Sequence, residues 1–200
     1  MYSKEENTLE QTDIRGEQYT FLAIDKHSKL IVNWLIGKHT TENAELFMQD
    51  LKSRLAGRVQ LTTDNWRCYS GIDGGAVSGV FGHNVDYATE TKRFASPGPY
   101  MPRRVISLRR RRKIGNPDMK VVTINHVERT NLSARTFMRR LTRCTLGFSK
   151  KLENMRYAVA LFAWHFNFCR LHSAHGQTPA MSAKLADHVF SVSELLNYQN

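Results

Sequence analysis

A chain of 200 residues with 41% hydrophobic side chains and no run of about eighteen uncharged apolar residues can bury one core but cannot cross a membrane as a helix. Its net charge of +11 is unevenly placed: residues 101–150 carry 14 Lys+Arg against 2 Asp+Glu, residues 1–100 carry 11 against 13, and residues 151–200 carry 4 against 3. That concentration leaves two explanations: a polyanionic partner, most simply nucleic acid, whose phosphates release counterions on binding, or a solvated basic loop.

In chain order, residues 1–18 are polar, partly acidic and without a period, so they read as irregular and not as a secretory signal. Tyr19 to Asp25 (YTFLAID) and Leu30 to Ile36 (LIVNWLI) are β-rich runs around a polar turn, which predicts a hairpin. Thr40-Thr41-Glu42 reads as a helix start, and Ala44, Phe47, Met48, Leu51 and Leu55 then recur at helical spacing up to Ala56. After Gly57, Val59 to Thr63 predicts a short strand ending at Asp64. Tyr69 to Gly82 is glycine-rich, with a short helix within loops as one reading, and Val85 to Thr89 is a candidate strand. Residues 92–120, with prolines and the arginine run, suggest a long exposed connection. A basic amphipathic helix is expected from Glu128 to Gly147, with Leu132, Phe137, Leu141 and Cys144 or Thr145 inward. A second is expected from Lys151 to His172, with Tyr157, Leu161, Trp164 and Phe168 on its apolar side. A polar break, SAHGQTP, precedes a C-terminal helical tail over residues 176–200. Strands, a helix, another strand and then helices predict a mixed α/β domain.

Asp64, at the end of a strand, and Glu128, opening a basic helix, stand where carboxylates serve catalysis: a regular element fixes the backbone and the head projects. Hard Mg2+ or Mn2+ ions prefer such oxygens and can clamp the attacking and leaving oxygens of a phosphodiester. The cations that would hold nucleic acid beside them are Arg109, Arg110, Arg111, Arg112 and Lys113. The expected helix adds Arg129, Asn131, Arg135, Arg139 and Arg140. Cys68, Cys144 and Cys169 are an odd number and widely spaced, which favours a reduced compartment over a zinc site. His126, His165, His172, His175 and His188 fit no zinc spacing, and surface or packing roles suit them better. Trp34, Trp66 and Trp164 read as core or cleft walls, with base stacking by Trp66 as the alternative. The glycines at 71, 74, 75, 79 and 82 follow no phosphate-loop pattern; with nucleic acid as the expected partner, no small-molecule substrate is expected.

The blocks TFLAIDKHSKLIVNWLIGKHT, RVQLTTDNWRCY, and IGNPDMK followed by NHVERTNLSARTFMRRLTRCTLGFSKKLEN resemble bacterial insertion-sequence transposases of the InsB-like, insertion-sequence-one type. FNFCRLHSAHGQTPAM is similar to the tail of many DDE transposases and integrases, in which an Asn, an Arg and a His precede a Thr-Pro. The resemblance covers Tyr19 to Leu196. It implies a ribonuclease-H-like core over residues 19–175, Mg2+ (or Mn2+) as cofactor, and DNA cleavage and strand transfer. It further implies DNA ends and target as partners, a homodimer or larger synaptic complex, and a cytoplasmic, nucleoid-associated location. Asp64 matches the second catalytic aspartate, Glu128 the glutamate, and Arg129 and Asn131 the pattern beside it. The first aspartate has no counterpart: Met1-Tyr2-Ser3 looks like the end of its motif, and Asp25 matches a turn residue. The chain is therefore expected to be N-terminally truncated. A catalytically silent DNA-binding remnant is the alternative.

Overall fold

The structure, a computed structural model, describes residues 17–71, 75–95, 98, 104–142, 146–147, 149–173 and 176–197. It is mixed α/β and divides into two compact units: Met1–His39 with His126–Asn200, and Thr40–Asn125. No helix among the described residues is long and apolar enough to cross a membrane.

In the first unit β1 (Tyr19–Ile24) and β2 (Ile31–Gly37) form the expected antiparallel hairpin, in register from Tyr19 opposite Gly37. Asp25 ties its turn: its carboxylate accepts from the Ser28 amide at 2.7 Å and the Ser28 hydroxyl at 2.5 Å. Burial alone would raise the Asp25 carboxyl, but these hydrogen bonds outweigh it and hold it below its usual value. Asp25 is thus a turn residue, as the resemblance implied. Against the hairpin lie α4 (Asn125–Phe137) and α5 (Leu152–Trp164). Ile31, Ala134, Phe162, Ala163 and Phe166 form one apolar cluster, and Ile36, Leu152, Met155 and Val159 another; Trp34 packs against both. Each buried Leu, Ile or Phe among them contributes about 1.5–3 kcal/mol from removal of apolar surface from water.

Two expectations fail here. The basic helix stops at Phe137, and Arg139–Leu141 form a separate 3-10 turn; Cys144 and Thr145 lie outside the described residues. The apolar sides are also other than expected. In α4 the buried residues are Thr130 and Ala134, while Leu132 and Phe137 are each 61% exposed. In α5 the buried set is Leu152, Met155, Val159, Phe162 and Ala163, whereas Tyr157, Leu161 and Trp164 face solvent. Both faces of α5 are apolar, so periodicity could not say which meets the hairpin. Past Trp164 the helix widens into a π turn, His165–Cys169. Within that turn Asn167 accepts from the Ile31 amide at 2.9 Å and donates to the Ile31 carbonyl at 3.0 Å, satisfying both backbone groups in a buried setting. In the tail, Thr178 caps α6 (Pro179–Ser182) by accepting from the Met181 amide, with Pro179 in the first turn, and α7 spans Val192–Asn197.

The second unit carries a mixed sheet in the order β3-β4-β5, parallel between β3 (Val59–Thr63) and β4 (Val85–Phe94) and antiparallel between β4 and β5 (Val105–Ile114). Helix α1 (Thr41–Ser53) starts where expected, its Thr40 cap accepting from the Asn43 amide, and buries Ala44, Phe47, Met48 and Leu51. The glycine-rich segment yields α2 (Arg67–Ser70) and α3 (Ala76–Phe81), which pack on each other and on α1. The long exposed connection expected over residues 92–120 contains strand instead: β4 runs on to Phe94, and Arg109–Arg112 lie within β5, which is exposed along most of its length. Gly115 follows β5 at φ +66, and a Cβ there would fall 2.3 Å from Asp86 Oδ1 and 2.8 Å from the Val85 carbonyl oxygen, so both backbone and space demand glycine.

Candidate functional site

Strand β3 delivers Asp64 at its C-terminal end, where the carboxylate is exposed and accepts from the Trp66 amide at 3.2 Å. Trp66 is half-buried, edge-on to Tyr69 with ring centroids 4.8 Å apart. Burial, and then the negative charge of Asp64, push the Tyr69 hydroxyl up. Burial likewise pushes Tyr87 up to about 12, with Asp64 adding to it and the hydrogen bond with Thr63, at 2.7 Å, acting against it. At neutral pH both phenols therefore keep their protons.

Glu128 sits in the first turn of α4, where the helix dipole favours a carboxylate, and is exposed. Asn131, Leu132 and Arg135 follow it at i+3, i+4 and i+7 and so share its face, while Arg129 points about 100° away around the helix. Arg139 and Arg140, expected on the same helix surface, instead occupy the 3-10 turn beyond it. Asp64 and Glu128 belong to different compact units.

In β5, Arg109, Arg110, Arg111 and Arg112 stand opposite Thr91, Glu90, Thr89 and Ala88. All four are exposed, but they are not equivalent. Arg110 Nε donates to Glu90 Oε2 at 2.9 Å, and the Glu90 side chain is 1% exposed. Its other oxygen accepts from the Ile124 amide at 3.2 Å, just before α4. Lys113 Nζ donates to the Ser70 carbonyl at 3.3 Å. Arg110 and Lys113 thus have partners within their own unit, and the Arg110 contact matters to the fold because a buried carboxylate left without its cation would be costly. Arg109, Arg111 and Arg112 remain the outward cations of the strand.

Sequence reasoning passed over Glu90 and also Asp86. Arg58 grips Asp86 with two hydrogen bonds of 2.7 and 2.8 Å, and the Asn116 amide adds a third at 2.7 Å. The Arg58 contact first, and the Asn116 amide second, hold the Asp86 carboxyl at about 2. The signal for Glu90 was present: an acid after Val85, Tyr87 and Ala88 in a strand rich in apolar residues needs a cation, and an arginine run lies downstream.

The carboxylates suit Mg2+ or Mn2+ in kind, since both ions favour hard oxygen donors. Among the described residues, however, no group of three or more His, Cys, Asp and Glu comes together that could hold a metal ion. No protein-family model matches this chain, and no curated protein or solved structure is significantly similar to it.

Proposed function

We propose that the chain is the catalytic domain of a DNA transposase of ribonuclease-H-like fold, acting in metal-dependent cleavage and strand transfer. The observation that carries this reading is the seating of its two carboxylates. Asp64 ends a strand and Glu128 opens a helix, each exposed and each in the sequence setting that resembles the insertion-sequence-one transposases. The order hairpin, α1, β3, β4 and the outward arginines of β5 support the same reading. Asp64 and Glu128 would hold Mg2+ or Mn2+, which when bound supplies charge stabilisation at a phosphodiester. The chain's own contribution is positioning: Asn131 and Arg135 beside Glu128, and Arg109, Arg111 and Arg112 along β5, hold the DNA backbone without reading bases.

A second reading, a DNA-binding remnant without turnover, is favoured by one observation: no three-donor group forms among the described residues. The two are separated by assaying strand transfer with Mg2+ or Mn2+: the catalytic reading expects joined product, and the remnant reading expects none. Asp64→Asn or Glu128→Gln should then lower that activity by about three orders of magnitude. Activity indifferent to both substitutions would overturn the site assignment. Transfer that also vanishes on Asp25→Asn would make Asp25 a third ligand.

A further inference from the structure

Several of the apolar residues that α4, α5 and α7 leave outward gather in one place. Phe137, Tyr157, Leu161 and Val192, each about half or more exposed, line one open groove of about 920 Å³ whose floor is Phe162 and Phe166. One wall is α5, where Asn154, Ala158, Leu161 and His165 recur at helical spacing, a length of about three turns or ~16 Å. Across from it stand Phe137 to Arg140 and Arg170. The Arg170 guanidinium lies over the Phe137 ring at 4.4 Å and near the Phe166 ring at 5.9 Å, so the cation is held at the groove by aromatic faces. Arg139 and Arg140 also line the groove and are exposed, Arg140 steadied by the Ser149 hydroxyl at 3.0 Å. Among the described residues no Asp or Glu lines the groove; Glu153 accepts the Tyr157 hydroxyl at 2.8 Å but is not part of the lining.

We propose that this groove seats an acidic amphipathic α-helix of a partner protein, its apolar stripe against Leu161 and Phe166 and its carboxylates toward Arg139, Arg140 and Arg170. The inference does not rest on the DNA-joining reading. Three features select the occupant. An exposed apolar surface of this kind marks a binding site, since each side chain gains by leaving water. A groove lined along a helix admits the i, i+3/i+4, i+7 anchors of another helix. The rim charge is of one sign, which attracts carboxylates and opposes a second copy of the same face. Unpaired nucleotides suit the arginines but need open aromatic faces on which to stack, whereas Phe162 and Phe166 are buried at the floor and Arg170 already lies over the Phe137 ring.

The test uses the full chain and fluorescein-labelled peptides of about 18 residues, long enough for several helical turns. One carries leucines at i, i+3, i+4 and i+7 with glutamates elsewhere, the second has that composition scrambled, and the third has lysines for glutamates. A single-stranded thymidine oligonucleotide is the competitor. Anisotropy should show the acidic amphipathic peptide binding at least about tenfold more tightly than the scrambled and basic peptides, with both Leu161→Glu and Arg170→Glu losing about tenfold. Arg139→Glu, at an exposed position, should weaken binding while leaving the thermal unfolding transition in place, so a folding failure in the other variants cannot mimic the result. Equal binding of the scrambled peptide would reduce the site to bulk charge and overturn the proposal. So would an oligonucleotide that displaces the peptide and itself loses affinity on Leu161→Glu, or sedimentation showing a dimer that Leu161→Glu dissociates.

Discussion

Strand β5 and the α5 groove both gather arginines, yet what lies under the cations differs. Beneath β5 is a web of acids: Glu90 takes Arg110, and Asp86 takes Arg58 and the Asn116 amide. In the groove Arg170 rests on hydrocarbon, over Phe137 and near Phe166. The same residue type is therefore part of the fold in one region and part of a surface in the other. Density of positive charge alone does not reveal which; the partner of each guanidinium does.

The comparison is most strongly tested at Glu90. Glu90→Ala leaves Arg110 without its anion and the Ile124 amide without its acceptor, and should cost about 3 kcal/mol, read as a lower urea midpoint. Glu90→Gln, which can still accept from Ile124, should cost less. Next is Gly115→Ala, which must hold φ near +66 and push aside the Asp86 carboxylate, at an expected loss of about 2 kcal/mol. By contrast Leu161→Glu in the groove, at a position 51% exposed, should change stability by no more than about 0.5 kcal/mol. A large loss there would mean that the groove wall belongs to the core.

Acid should separate the regions in the same sense. The Asp86 carboxyl is depressed from an ordinary 3.8 to about 2, chiefly by Arg58. Stability from that pair is fully present above the unfolded value, near pH 4, and is lost as the pH falls through about 2. Asp86→Asn should flatten this part of the acid unfolding curve, whereas Arg170→Glu should not. The smallest effects concern the outward cations. Arg109→Ala, Arg111→Ala and Arg112→Ala should each lower the slope of log affinity against log salt for duplex DNA by about 0.9 while stability stays within about 0.5 kcal/mol. Arg110→Ala should do the reverse, losing stability with less change in slope. A slope unaffected by all four would make the strand a solvated edge, which charge also protects from edge-to-edge pairing.

Where local chemistry decided structure, the sequence could be read directly. The β1–β2 hairpin follows from two branched runs around a polar turn, α1 from its Thr40 cap and apolar spacing, and Asp64 from the short strand before it. Strand β5 could not be read this way. Four arginines carry no apolar alternation, and their strand is held by pairing with β4 across a connection, a non-local fact. The orientation of α5 was hidden for the opposite reason: Met155, Val159 and Phe162 compete with Tyr157, Leu161 and Trp164 as equally apolar faces, and only the hairpin selects between them. The role of Glu90 was hidden with that of β5: an acid in β4 and an arginine run were visible, but only the β4–β5 pairing says that Arg110 meets Glu90. Asp64 and Glu128 each keep the local setting expected of them, at a strand end and a helix start. Their pairing was an expectation from resemblance and not from spacing.

The division of the chain also fixes an order of events during synthesis. Thr40–Asn125 is one continuous stretch, whereas the unit that contains β1 and β2 is completed by residues after His126. The Ile31 backbone waits for Asn167, 136 residues later. At about 5–20 residues per second that is a delay of roughly 7–27 seconds. Throughout it the apolar hairpin has left the ribosome without α5, while the stretch behind it can already close on itself. The hairpin is accordingly where a nascent chain would need a chaperone, and slowing translation between Thr40 and Asn125 should lengthen that need.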